Sequence, residues 1–201
     1  MKIVTNKIKL RVPTKPCVSV SDGLEIGTSL IRELGKHGGI GLAANQLGIN
    51  SSVCVIHVRK DGLPKVLVNP KIVSRSDELV TYIEGCLSLP KKLIKTIRNK
   101  SITIVCDNFE NEIIFQPDSD TLTNENYLED LGLLECVCAQ HEIGHLNGEL
   151  ITDPKIRFPK NPKVSTKINR NDMVMIQKGD DTQMVKYKKS ENLIKDGWKI
   201  I

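Results

Sequence analysis

Residues 140–148 read QHEIGHLNG, and no other stretch restricts the fold of this chain so tightly. His141 and His145 stand four residues apart, so on a helix both imidazoles leave the same face, one turn apart. Leu131, Leu134 and Cys138 fall on or near the stripe that ends in these histidines. That spacing predicts one helix from about Tyr127 to Leu146, terminated by Gly148. Two imidazoles so placed can converge on one metal ion, at about 2.0–2.1 Å each for zinc. Glu142, beside the first histidine, then reaches a metal-bound water as general base. The plain alternative is a helix with two incidental histidines and a surface glutamate. The whole chain has 4 histidines, and two of them in H-E-x-x-H spacing favour the metal.

A catalytic metal usually takes three protein ligands and keeps one position open. Cys138 shares the helix face, but it lies seven residues from His145, about 10.5 Å of rise at 1.5 Å per residue. Cys136 is further off in rise and angle. His37 ends the first helix and His57 sits in an apolar strand, and either could serve. Glu149 would reach only if the helix ran past Gly148. Cys86, in EGCLSLP, is the better candidate, because Gly85 frees the adjacent backbone; as a core thiol it would sit at a strand end.

The rest of the chain is punctuated by Gly and Pro. Residues 1–22 read as an extended arm broken by Pro13 and Pro16. Asp22 is a plausible N-cap for a helix on which Ile26, Leu30 and Leu34 recur, ended by Gly35, Gly38 and Gly39. GIGLAANQLG is too Gly-rich for a helix interior. VCVIHV at 53–58 is a strand, LPKVLVNPKIV is a strand region broken at Asn69-Pro70, and residues 101–115 form a hairpin turning near Asp107 to Asn111. Residues 116–130 are a polar, acidic loop. A second hairpin-like pattern surrounds Lys178-Gly179-Asp180-Asp181.

Length and charge set the class. A chain of 201 residues can bury roughly 70% of its unfolded surface and needs no disulfide to fold. No apolar run is long enough to cross a membrane, and the first residues carry no signal-type core, so the expectation is a cytoplasmic protein with 6 reduced cysteines. Cys54 and Cys106 lie inside apolar runs and read as core. Residues 155–201 hold 12 Lys/Arg and 5 Asp/Glu, a net of +7, whereas the other 154 residues carry −2. A basic tail can bind nucleic acid, although base-stacking aromatics are only 3% of the chain and a solvated surface is the simpler reading.

GIGLAANQLG (39–48), EGCLSLP (84–90) and QHEIGHLNG (140–148), in this order, resemble the three signature motifs of peptide deformylases. The resemblance implies removal of the formyl group from the N-terminal formyl-methionine of nascent peptides. It implies Cys86, His141 and His145 as ligands of one divalent metal, Fe(II) in the cell, with Zn(II) or Ni(II) possible. Glu142 matches the catalytic acid/base, Gln46 the amide that donates to the developing oxyanion, and Leu87 the residue whose backbone N–H joins it. Ile40, Gly41 and Gly85 match the substrate-binding edge, and Glu84 and Arg98 match charged residues that support the site. The fold expected is α+β: mixed or antiparallel sheets around a central helix bearing the H-E-x-x-H residues. Residues 1–150 form the catalytic domain, and 151–201 a basic, β-like extension packed on it. The protein is expected to be monomeric, off the membrane, and able to meet the ribosome through its tail.

Three features depart from the pattern. Gly144 stands where the family carries Asp, the 116–130 loop is longer than the usual turn, and the tail is not the usual C-terminal element. Trimmed, re-tailed chains of this kind are more like phage-borne members. Two rival readings remain: an H-E-x-x-H metallopeptidase with another third ligand, and a catalytically retired binding protein of the same fold.

Overall fold

A computed structural model describes residues 1–59, 62–119, 122 and 127–157, with shorter segments at 173–178, 181–186, 192–194, 196–197 and 199–200. The chain divides into two compact units, Met1–Phe158 and Pro159–Ile201. No helix among the described residues is long and apolar enough to cross a membrane.

The first unit is layered around one small sheet. Strands β1 (Gly41–Ala43), β2 (Val53–Ile56) and β3 (Lys65–Val68) pair antiparallel in that order. All four β2 residues are buried because both faces are covered. Val53 and Val55 pack with Leu30 and Leu34 of helix α2 (Val20–His37). Cys54 and Ile56 pack with Cys138, Ala139 and Ile143 of the helix Leu131–Leu146. The period-2 alternation of a strand thus feeds two cores. Helix α2 lies tight on β3, since a β-carbon on Gly23 or Gly27 would fall 2.6 Å from Val68 or 2.3 Å from Val66.

A second antiparallel sheet joins β4 (Lys71–Arg75), β7 (Ile102–Val105) and β8 (Ile113–Phe115). Between them runs a hairpin of β5 (Leu79–Gly85) and β6 (Leu93–Asn99), in register from Leu79↔Asn99 to Gly85↔Leu93. Its inner face buries Tyr82, Glu84, Thr96 and Arg98, whereas Leu79, Ile83 and Leu93 are exposed on the other. The strand character of 93–99 escapes the sequence reading, because Lys95 and Arg98 interrupt its apolar residues.

Three boundaries differ from expectation. The arm contains a short helix, α1 (Lys7–Leu10), capped by Asn6. The α2 N-cap is Ser19, whose Oγ accepts from Asp22 N at 3.1 Å, so Asp22 lies inside the first turn. The long helix, α3 (Leu131–Leu146), starts four residues later than Tyr127, because Asp130 caps it. Asp130 Oδ1 accepts from Leu133 N at 2.7 Å and Asp118 N at 2.9 Å, and Oδ2 from Ser119 N at 2.9 Å. Those bonds fix the loop over the helix N-terminus and outweigh burial, holding the Asp130 carboxyl below its ordinary range. At the other end Gly148 takes φ +76, where a β-carbon would strike the Arg11 carbonyl oxygen at 2.4 Å.

Helix α3 is buried almost all round, which explains its lack of a polar face. Of the long 116–130 loop, residues 120, 121 and 123–126 lie outside the described residues. The second unit contains one antiparallel sheet. In it β9 (Met173–Lys178) pairs with β10 (Asp181–Lys186) and with β11 (Lys199–Ile200), residues 179 and 180 lying outside the described residues.

Candidate metal centre

Two elements deliver three ligand-type atoms to one place. Helix α3 presents His141 and His145 one turn apart, and the Cys86 thiol follows the end of β5. Cys86 Sγ lies 3.2 Å from His145 Nε2, which lies 3.1 Å from His141 Nε2. The ligand-type atoms of these three residues all lie within 4.8 Å of one another. Such separations suit tetrahedral coordination at about 2.0–2.3 Å per bond, and thiolate plus imidazole is a donor set for zinc, iron or nickel. Of the other ligand candidates, His37 is exposed at the end of α2 and Cys136 is buried against Gln140 and Asn99.

One carboxylate orders the centre from behind. Glu84 accepts from Arg98 Nε at 2.7 Å, Arg98 Nη2 at 2.8 Å and His141 Nδ1 at 2.7 Å, and also from Thr96 Oγ1. The bond to His141 Nδ1 selects the tautomer that turns the Nε2 lone pair toward Cys86 and His145. Burial alone would raise the Glu84 carboxyl, but the bonds from His141 and Arg98 prevail and hold it at about 2. Burial would likewise lower His141, yet its bonds to Cys86 and Glu84 push it up to about 10. A metal held by these residues would take the place of that proton. Burial drives His145 below its ordinary value, helped by the charges on His141 and Arg98. Its Nδ1 is buried without a hydrogen-bond partner.

Glu142 is 4% exposed, and its Oε2 has no partner. Burial, reinforced by the charge on Glu84, pushes its carboxyl up to about 7. A carboxyl near neutrality can both take and return a proton at working pH. Gln46 is held by its own loop: Ala43 N donates to its Oε1 at 2.9 Å, which turns Nε2 toward Ser88 Oγ at 3.1 Å and Cys86 Sγ at 3.7 Å. These side chains open into a cleft of about 630 Å³ that is also lined by Ile40, Gly41, Gly85 and Leu87. A β-carbon on Gly41 would fall 2.6 Å from both Cys138 Sγ and Glu142 Oε1, so any larger residue there must displace one of these side chains.

Some supporting residues carry no signal in the sequence. Thr96 bonds Glu84 and the Tyr82 carbonyl, and only the alternation along β6 hints that it points inward. Gln140 clamps both backbone groups of Asn99, at 3.0 and 2.9 Å, tying α3 to β6. Asn45 Nδ2 donates to the His145 carbonyl at 2.6 Å, steadying the end of the helix.

Residues 2–161 match the family model described as polypeptide deformylase. A peptide deformylase of Borreliella burgdorferi is 34% identical over 145 residues, covering 72% of this chain and 80% of that protein. The peptide deformylase structure from Thermotoga maritima superposes with a TM-score of 0.62 at 28% identity, covering 75% of this chain and 93% of that one. A probable peptide deformylase from Synechococcus phage S-SSM7 does so at 0.60 and 29% identity, covering 75% of this chain and 95% of that one. The chain belongs to the polypeptide deformylase family and is an enzyme of the hydrolase class.

Proposed function

We propose that this chain hydrolyses the N-formyl group from the N-terminal formyl-methionine of nascent peptides, releasing formate and a free amine. The observation that carries the reading is the convergence of Cys86, His141 and His145 beside a buried Glu142 in an open cleft. Cys86, His141 and His145 would hold a divalent metal, which would supply Lewis acidity and lower the pKa of water toward about 7. Iron(II) is our assignment in the cell, with zinc(II) or nickel(II) able to replace it.

The chain's own groups do the rest. Glu142 takes the proton of the attacking water and hands it to the departing amine, a role worth roughly 10²–10⁴ in rate. Gln46 Nε2 and the Leu87 backbone N–H donate to the oxyanion formed on the formyl carbon, each such donor being worth about 10²–10³. Ile40, Gly41 and Gly85 seat the peptide backbone, which can approach closely where side chains are absent. Tyr82, Leu134 and Val137 offer the methionine side chain an apolar wall. Glu84 and Arg98 hold His141 in its ligating tautomer.

We assign residues 1–150 as the catalytic domain and 151–201 as a basic extension. The enzyme works as a cytoplasmic monomer, and its tail, at +7 over residues 155–201, meets ribosomal RNA where the substrate emerges. Cys86→Ser tests the assignment against a metallopeptidase with another third ligand. Loss of both metal and deformylation is expected; a variant that keeps its metal overturns the ligand assignment.

A further inference from the structure

The floor and the mouth of the cleft differ in charge. Its two carboxylates, Glu84 and Glu142, are buried, and Glu84 is engaged by Arg98, His141 and Thr96. At the mouth stand Lys91 and Lys92, both exposed and neither ion-paired among the described residues. Their anchorage is fixed. Leu89 N donates to the Cys86 carbonyl at 2.9 Å and Lys92 N to the Leu89 carbonyl at 3.2 Å, so the turn grows directly out of Cys86. Lys91 itself sits at φ +64, a region residues with a β-carbon rarely occupy. Beside the pair, Ile83 and Leu93 form an exposed apolar rim that also lines the cleft.

A peptide whose formyl group reaches the centre leaves the cleft through this mouth. Lys91 and Lys92 line the cleft on its exposed side, and no described carboxylate other than the buried Glu84 and Glu142 lines it. We propose that Lys91 and Lys92 make the enzyme favour substrates bearing acidic side chains directly after the formyl-methionine. This inference rests on the deformylase reading and adds the substrate class it prefers. Exposed ion pairs are individually weak, so two of them give a preference of roughly threefold to tenfold in kcat/KM.

The test compares formyl-Met-Asp-Glu, formyl-Met-Ala-Ser and formyl-Met-Lys-Lys peptides with the metal-loaded enzyme at low salt and at about 1 M salt, where screening reaches about 3 Å. The acidic peptide should lead the neutral one and the basic peptide trail it, with the spread collapsing at high salt. Lys91→Asn with Lys92→Gln removes both charges while leaving a residue that tolerates the left-handed turn, and should bring the acidic-to-neutral ratio toward one. Lys92→Glu alone, which leaves that turn untouched, should favour the basic peptide. Turnover of the neutral peptide with an acidic-to-neutral ratio near one in the wild type overturns this inference alone. No turnover of any peptide overturns the deformylase reading itself. A double variant with unchanged peptide ratios but weakened ribosome co-sedimentation would give the rim to nucleic acid and also overturn the proposal.

Discussion

Replacing Glu84 with alanine should damage both the fold and the metal centre, through two separable effects. Arg98 is 6% exposed, and its Nε and Nη2 both donate to Glu84. Without that partner its charge stays buried and uncompensated, which costs about 3–5 kcal/mol. That is a large share of a typical domain stability of about 5–15 kcal/mol. At the same time His141 Nδ1 loses its acceptor, and metal affinity should fall about 10–100-fold. Urea unfolding of the metal-free protein reads the first effect, and chelator-competition titration with zinc reads the second. Replacing the pair together, Glu84→Leu with Arg98→Met, separates them. The fold should recover most of its stability, since no buried charge is stranded, while the metal stays weakly held. A Glu84→Ala protein that loses less than about 1 kcal/mol and binds zinc within about twofold of wild type would refute the reasoning.

Gly41→Ala should remain folded, at a cost of about 1–3 kcal/mol, yet lose roughly 10²-fold or more in kcat, because its β-carbon displaces Glu142; steady-state kinetics beside thermal melting would reveal the split. Asp130→Ala should cost about 1–2 kcal/mol at neutral pH. Because the folded carboxyl titrates below its ordinary value, that difference should be complete above about pH 4 and disappear as pH falls through the folded value; equal gaps in urea unfolding at high and low pH would count against the cap. At Gly144 a β-carbon would meet only Glu149, at 3.6–3.7 Å, so Gly144→Asp should leave formate release equal or higher. A large loss of activity with unchanged metal content would mean the helix needs glycine at that position.

The chemistry was more legible than the architecture that supports it. His141 and His145 stand out because metal ligation admits few residue types and fixes their spacing on a helix, whereas Cys86 is one candidate beside His37 and His57 until the resemblance singles it out. Glu84, Gln46 and Gly41 came from the resemblance; hydrogen bonds and close contacts then supply physical reasons for each. The β5–β6 hairpin is hidden in the sequence because the usual alternation is inverted there: Leu79, Ile83 and Leu93 point outward, whereas the polar Glu84, Thr96 and Arg98 point inward and hold the centre together. Helix starts were misplaced at Asp22 and Tyr127 because several Ser and Asp residues there are chemically able to cap. Only the loop geometry around Ser19 and Asp130 decides among them. Thr96 and Gln140 act through hydrogen bonds between elements far apart in sequence, and no local pattern encodes such a contact.

The most direct test of the central claim is formate release from a short formyl-methionyl peptide. The protein would be purified without oxygen and loaded in parallel with iron(II), nickel(II) and zinc(II), with Glu142→Ala alongside. Formate from the wild type, reduced by roughly 10²-fold or more in the variant at equal metal content, is the predicted result. Stoichiometric metal with no formate in any form, or a Glu142→Ala protein as active as the wild type, would contradict the account.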